Sequence, residues 1–311
     1  MSRPEETGEN EPGTNGSGFS APEAGPDQHG SASDGMERDI WARVTPYEVG
    51  IPGREFAEEN FTAIQEEVEG READATDPGA FLLLGQVGRV LKEIQGEERG
   101  GEALHRFGSF LFHAFHFHRA GELLLLAETP TVRRVVRGET EVEGWAGELP
   151  ADAGYLQFPR HLIWSHPDPE GPAEDLDGVF WTRASGDSLS LMAAAGLRAD
   201  RPGLSVVPLP PVPLADAGRW PSARVREEGE GEDFATTLPG GELEELYSVV
   251  RAGEILKLVA RIFAFMNQVP ESLGASEHAP HPDDLTEPPS GRMAGVRPTL
   301  LPFRRIRVPE N

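Results

Sequence analysis

The 311-residue chain carries 28 Lys+Arg against 53 Asp+Glu, for a formal charge of −25, and it has no Cys. Without a thiol there is no disulfide framework, no Cys-ligated zinc or iron–sulfur cluster and no cysteine nucleophile, and any metal would need His, carboxylate, carbonyl or water. A polyanion repels phosphate backbones and anionic lipid, so neither nucleic acid nor membrane is an expected partner.

Thirty-six Gly and 28 Pro make up about a fifth of the chain, so much of it is expected in loops and turns. Only Lys92 and Lys257 are lysines. The start has no apolar h-region, and the greasiest run, residues 255–266, is interrupted by Lys257 and Arg261. These features predict a cytoplasmic protein.

Residues 1–39 hold a single aromatic, Phe19, and no branched aliphatic, which predicts a disordered acidic tail. Composition shifts again near Ser276, so 276–311 is read as a disordered tail with a basic end, carrying five Arg and no acid between Arg292 and Arg307. Residues 1–39 have 9 acids and 2 Arg, and residues 270–311 have 6 acids and 5 Arg, so −17 remains on the body.

Residues 40–140 read as helical. Phe56, Ala57, Phe61, Ile64 and Val68 share one side of a helix over 52–70, with glutamates covering the rest. Asp77-Pro78 marks the N-cap and first position of a helix predicted to continue through Ala80 to Gln95. A third helix is predicted over 102–119, ending on Gly121. Leu123–Leu126 is assigned to a strand, and Thr129-Pro130 opens a short helix to Arg137.

Residues 141–275 change character. Short β-like pieces at 155–158, 161–165, 179–183, 189–193 and 204–209 leave no room for crossover helices, which predicts a mainly antiparallel sheet. Pro208, Pro210, Pro211 and Pro213 place the last piece at an edge. The apolar faces of 243–250 and 255–266 point in opposite directions, so a break is predicted at Gly253, followed by a helix over 254–268. The expected fold is α+β: a helical N-terminal portion packed with 141–275 as one unit on a small, mainly antiparallel sheet, closed by the C-terminal helix. Leu83, Leu84, Val87, Phe110, Phe112, Phe115, Trp164, Phe180, Leu191, Leu258, Val259 and Ile262 are the expected core.

Three features carry chemistry. At about 100° per residue, Glu102, His105, Ser109, His113 and His116 fall in one stripe of the third helix. Glu102-x-x-His105 has the form of one limb of a carboxylate–histidine metal site, so Glu102, His105, His113 and His116 are the candidate ligands of a divalent metal. No second Glu-x-x-His occurs on another predicted helix. The competing reading is a set of structural imidazoles satisfied by hydrogen bonds. Aromatics concentrate in the β region, where Tyr155, His161, Trp164 and Trp181 are candidates to line a small-molecule pocket. Finally, Gly186-Asp187-Ser188-Leu189-Ser190 resembles the signature block of the GDSL esterase and lipase family. That resemblance implies Ser188 as a nucleophile served by an Asp-x-x-His near the C-terminus. This chain has no such pair at His278 or His281, and the block stands far from the N-terminal position usual in the family. Locally, Ser185-Gly186-Asp187-Ser188 spells a hairpin turn, the reading adopted here. Asp175-Leu176-Asp177-Gly178 is read as a turn leading into Val179.

No complete catalytic constellation emerges. The expected function is therefore a non-catalytic protein, without a cofactor, that binds a partner protein or a small ligand. The alternative is a metal-dependent enzyme or metal-binding protein using the 102–116 helix face, with a serine hydrolase at Ser188 behind it.

Overall fold

The computed structural model describes residues 41–95, 101–137, 145–165, 174–195, 205–222, 249–250, 252–285 and 296–309. The tail expected over 1–39 lies outside these residues.

The helical portion comprises α1 (Pro46–Gly50), α2 (Arg54–Arg71), α3 (Pro78–Leu82), α4 (Gly85–Ile94) and α5 (Gly101–Arg119). After it come β1 (Leu124–Ala127), α6 (Thr129–Val136), β2 (Ala153–Gln157), β3 (Trp164–Ser165), β4 (Glu174–Ala184), β5 (Ser188–Ala195) and β6 (Ser205–Pro213). The chain closes with β7 (Val249–Val250), α7 (Ala252–Gln268), β8 (Leu273–Glu277) and β9 (Phe303–Ile306). The fold is α+β, built on a mixed sheet of order β6-β5-β4-β2-β1-β9-β8, with β3 joining β4 to β7 at one side. Strand β1 runs parallel to both β2 and β9, and the pairs from β2 through β6 are antiparallel.

Both faces of the sheet are covered, which explains why its strands read as nearly continuous apolar runs. On one face Leu124, Leu126, Tyr155, Phe180, Met192 and Phe303 pack under α1 to α5, including Phe61, Phe81, Phe110, Phe112, Phe115 and Phe117. On the other, Leu125, Leu156, Val179, Trp181, Leu191 and Ile306 meet α6 and α7, including Leu258, Val259, Ile262 and Phe263. Leucines 124–126 thus alternate between two cores. The apolar girth of α5 has the same cause: it lies between the sheet and α2 to α4.

The helix predicted over 254–268 is present as α7, but it begins at Ala252, so Gly253 lies inside it and marks no break; Val249–Val250 ahead of it is strand, and 243–248 lie outside the described residues. From α7, Arg261 Nη1 donates to the carbonyls of Val135 and Val136 at 3.4 and 3.2 Å, satisfying the end of α6.

Two expectations are corrected. Residues 80–95 form two helices, because the chain leaves α-geometry at Leu84 and restarts at Gly85. Leu83 consequently points out, with 81% of its surface exposed, and is not part of the core. The basic end does not continue as a tail: Phe303–Ile306 is an interior strand between β1 and β8. Phe303 and Ile306 are buried, and the intervening Arg304 and Arg305 reach the Gly274 carbonyl and Glu277 on β8, each at 2.9 Å. Asp175 to Gly178 is likewise strand, not turn.

Candidate functional site

The histidines of α5 go to separate places. His105 is exposed, and the side chain of Glu102 lies outside the described residues. His113 is buried, with Nδ1 2.9 Å from Thr182 Oγ1 and Nε2 3.3 Å from Ser190 Oγ. Burial pushes its pKa down to about 3, helped by neighbouring His116, so the ring is neutral and tied to two hydroxyls of the sheet. His116 lies deep as well, and Nε2 donates to the Ala75 carbonyl at 3.0 Å. His118, outside the stripe, has Nδ1 2.9 Å from Glu122 Oε1 and 3.0 Å from Tyr47 Oη. Among the described residues no three His, Asp or Glu side chains gather as metal ligands.

The four aromatic candidates do not line one pocket. Tyr155 and Trp181 stand on opposite faces of the sheet: the Tyr155 ring centroid is 4.5 Å from Phe180, whereas Trp181 packs at 5.1 Å on Phe263 of α7. Consecutive Phe180 and Trp181 must face apart in a strand, so the cluster seen along the sequence divides between two cores. Trp181 Nε1 also donates to the Ala151 carbonyl. Trp164 pairs in register with Asp175, and its side chain is outside the described residues.

Tyr155 and His161 do share a neighbourhood, organised by carboxylates that sequence reasoning placed in a turn. Between Leu176 and Gly178 the β4–β5 register shifts by one residue, a bulge that turns Asp177 onto the face of Tyr155. There Asp177 Oδ2 accepts from Tyr155 Oη at 2.5 Å and from Gln157 Nε2 at 3.2 Å. Its Oδ1 accepts from Arg43 Nε and Nη2 at 3.1 and 3.0 Å. Arg43 Nη2 also donates to the Phe158 carbonyl at 2.6 Å, and the Arg43 N–H donates to Gln157 Oε1 at 2.8 Å. Burial and the adjacent Asp177 raise the Tyr155 phenol well above its usual range, so it stays a donor. Residue 178 is Gly because the Tyr155 ring crosses that point, and an added Cβ would meet its hydroxyl at 2.6 Å.

Asp175 sits at the rim of this network. It accepts the His161 N–H at 2.9 Å, with His161 Nδ1 at 3.6 Å and Arg160 Nε at 3.9 Å. His161 is held at φ +57°, a strained region for a residue with a Cβ. Burial raises the Asp175 carboxyl to about 6, against the opposing pull of Arg43, the His161 N–H and Arg160. In sequence, the only trace of this cluster is the Asp-x-Asp pair; the bulge and the distant Arg43 have no local signature.

Ser188 follows the tight turn expected for it. Gly186 and Asp187 both have positive φ, and Ser188 Oγ donates to the Ser185 carbonyl at 2.8 Å, closing the hairpin between β4 and β5.

The feature that reaches solvent lies elsewhere. Among the described residues the exposed large apolar side chains are Leu82, Leu83 and Leu104, at 37%, 81% and 52%, and Leu300, at 66%, whose N–H donates to Glu48 of α1. A Cβ placed on Gly108 would meet Leu82 Cδ2 at 2.9 Å, so Leu82 lies on α5 one turn beyond Leu104. The turn that carries these leucines is held from four directions. Asp77 caps α3 by accepting the Ala80 N–H at 2.7 Å, and Glu67 of α2 accepts the Gly85 and Gln86 N–H groups at 2.9 and 2.7 Å. His116 holds the Ala75 carbonyl, and the Ser185 N–H donates to the Thr76 carbonyl at 3.0 Å. The two leucines are therefore presented on a fixed backbone.

Comparison of the chain with protein-family models, curated proteins and solved structures finds no match. No described helix is long and apolar enough to cross a membrane.

Proposed function

We propose that the chain is a non-catalytic cytoplasmic protein that binds a partner protein through the Leu82–Leu83 knuckle and the neighbouring Leu104. One observation carries this reading: Leu82 and Leu83 stand exposed on a turn held by the hydrogen bonds from Asp77, Glu67, His116 and Ser185. Single exposed leucines are ordinary on protein surfaces, and a loose loop would leave them outward by default. Here the backbone on both sides of the leucines is hydrogen-bonded, at Ala75, Thr76 and Ala80 before them and at Gly85 and Gln86 after them. Preorganised apolar side chains of this kind lose little entropy when a partner covers them.

Leu83→Asp provides the test. Because Leu83 is 81% exposed, the variant should keep wild-type stability to within about 0.5 kcal/mol. Wild-type protein crosslinked and purified from its own cells should retain a partner that the Leu83→Asp protein loses. An identical set of co-purifying proteins from the two would overturn the reading.

A further inference from the structure

The main run of the sheet, from β6 to β8, ends on two unlike edges. At one, β6 carries Pro208, Pro210, Pro211 and Pro213, which have no N–H to offer a further strand. At the other, β8 contains no proline and pairs only with β9 among the described residues. The Ile306 carbonyl faces β1, where it accepts from the Glu128 N–H, and the Arg307 N–H faces β8, where it donates to the Ser272 carbonyl. By strand alternation Arg304 also faces β1, so its register partner Ser276 turns its own N–H and carbonyl away from β9, to the outer edge. Ala275 and Ser276 are exposed there. Two guanidiniums converge on this strand. Arg304 Nε donates to the Gly274 carbonyl at 2.9 Å, and a Cβ placed on Gly274 would stand 3.5 Å from Arg307 Nη2. Among the described residues neither arginine pairs with a carboxylate, and Glu277, the acid of β8, is held by Arg305 at 2.9 Å. Two like charges brought to one glycine with no acid between them are the complement of carboxylates, which Arg grips through its forked N–H groups.

We propose that β8 is a second docking surface, which takes an extended acidic peptide of a partner protein as an added strand. The peptide backbone pairs with Ser276 at the open edge, and its Asp or Glu side chains meet Arg304 and Arg307. This edge shares no residue with the leucine knuckle. A second copy pairing β8 to β8 would set Arg304 and Arg307 of each molecule against those of the other, which like-charge repulsion opposes. The net charge of −25 repels an acidic peptide at long range, so a preference for one can arise only from a local basic site.

The test uses full-length protein and labelled peptides of about ten residues in which Val or Thr alternates with Glu, Gln or Lys. Fluorescence anisotropy should show the Glu peptide binding at least about tenfold tighter than the Gln peptide, and the Lys peptide not at all, the reverse of the order that net charge alone would set. In Arg304→Gln/Arg307→Gln the Glu peptide should weaken about tenfold, to the level of the Gln peptide. Ser276→Pro removes the outward N–H without touching the β9 ladder, and should lose both peptides while melting as the wild type does. A Glu peptide N-methylated at alternate amides cannot form the ladder and should not bind, a comparison that leaves the protein itself unaltered. Glu-peptide binding that is absent, no tighter than that of the Gln or Lys peptide, or indifferent to the arginine variant overturns the acidic partner. An N-methylated peptide that binds as tightly as its parent overturns strand addition. A wild-type dimer in sedimentation equilibrium that Ser276→Pro dissolves would put a second copy on this edge in place of the acidic peptide.

Discussion

Asp175 and His113 are buried groups whose titrations pull stability in opposite directions. The Asp175 carboxyl rises from 3.8 to about 6, chiefly through desolvation, so between those values the folded state holds a proton that the unfolded chain releases. Stability from this group is therefore present in acid and lost as pH rises through about 6. His113 falls from 6.5 to about 3, so the unfolded chain binds a proton that the folded state refuses, and stability is lost as pH drops from 6.5 towards 3. Burial also lowers His116, which acts in the same sense as His113. Over the shared window, roughly pH 4 to 6, the Asp175 and His113 slopes oppose each other. Asp175→Asn keeps an acceptor for the His161 N–H and removes the charge. It should stabilise the protein at pH 7.5 by about 2 kcal/mol, a gain that shrinks to nothing by about pH 4. Urea unfolding across that range measures it; a gain independent of pH would show that the Asp175 charge carries no such burden. Neither group was legible as a titrating site in sequence. His113 appeared as one of a stripe, and only the sheet's Thr182 and Ser190 reveal that it is dehydrated and satisfied.

Local periodicity located elements well where their partners are near in sequence. Helices α2, α5 and α7 and the hairpin at Ser185–Asp187 follow from residue spacing, caps and turn chemistry. It failed at the α3–α4 junction, because the decisive group comes from another helix. Nothing between Ala80 and Gln95 announces a stop, yet Glu67, thirteen residues before Ala80, takes up the Gly85 and Gln86 N–H groups and so caps a new helix from outside. These two backbone donors are the main reason the Glu67 carboxyl is held below its usual range. Glu67→Ala should cost about 1 kcal/mol in thermal or urea unfolding, the scale of a lost N-cap, and should loosen Leu82 to Gly85. Hydrogen exchange would then show faster exchange at the Gly85 and Gln86 amides than in wild type. Unchanged protection at these two amides would mean that the α4 start is set by packing alone. Since Leu83 stands at this junction, the variant should also weaken the partner binding proposed for the knuckle.

At the scale of the whole molecule, the α+β class was readable from segment lengths and punctuation, whereas the order of the sheet was not. Composition separated residues 276–311 from the body as Pro-rich, Arg-rich and apolar-poor, and those averages hide a four-residue strand. Phe303 and Ile306 are enough to bury, because their neighbours β1 and β8 already exist to receive them. The same segment returns to the beginning of the described chain: the Val44 N–H donates to the Arg297 carbonyl, the Thr299 N–H donates to the Ala42 carbonyl, and Glu48 accepts from Thr299 Oγ1 and the Leu300 N–H. Arg43, held between these contacts, carries the tie onward to Asp177 in β4. Contacts across some 250 residues leave no periodic trace in a single sequence, yet they join both ends of the described chain to the middle of the sheet. Removing residues 296–311 should therefore do more than trim a tail. The truncated protein should lose cooperative thermal unfolding and near-ultraviolet circular dichroism, and the full chain with Ile306→Asp, which places a charge in a fully buried site, should lose several kcal/mol. A truncated protein that melts cooperatively at the wild-type temperature would instead restore the reading of this end as a dispensable tail, and would detach the segment from both Glu48 and the sheet.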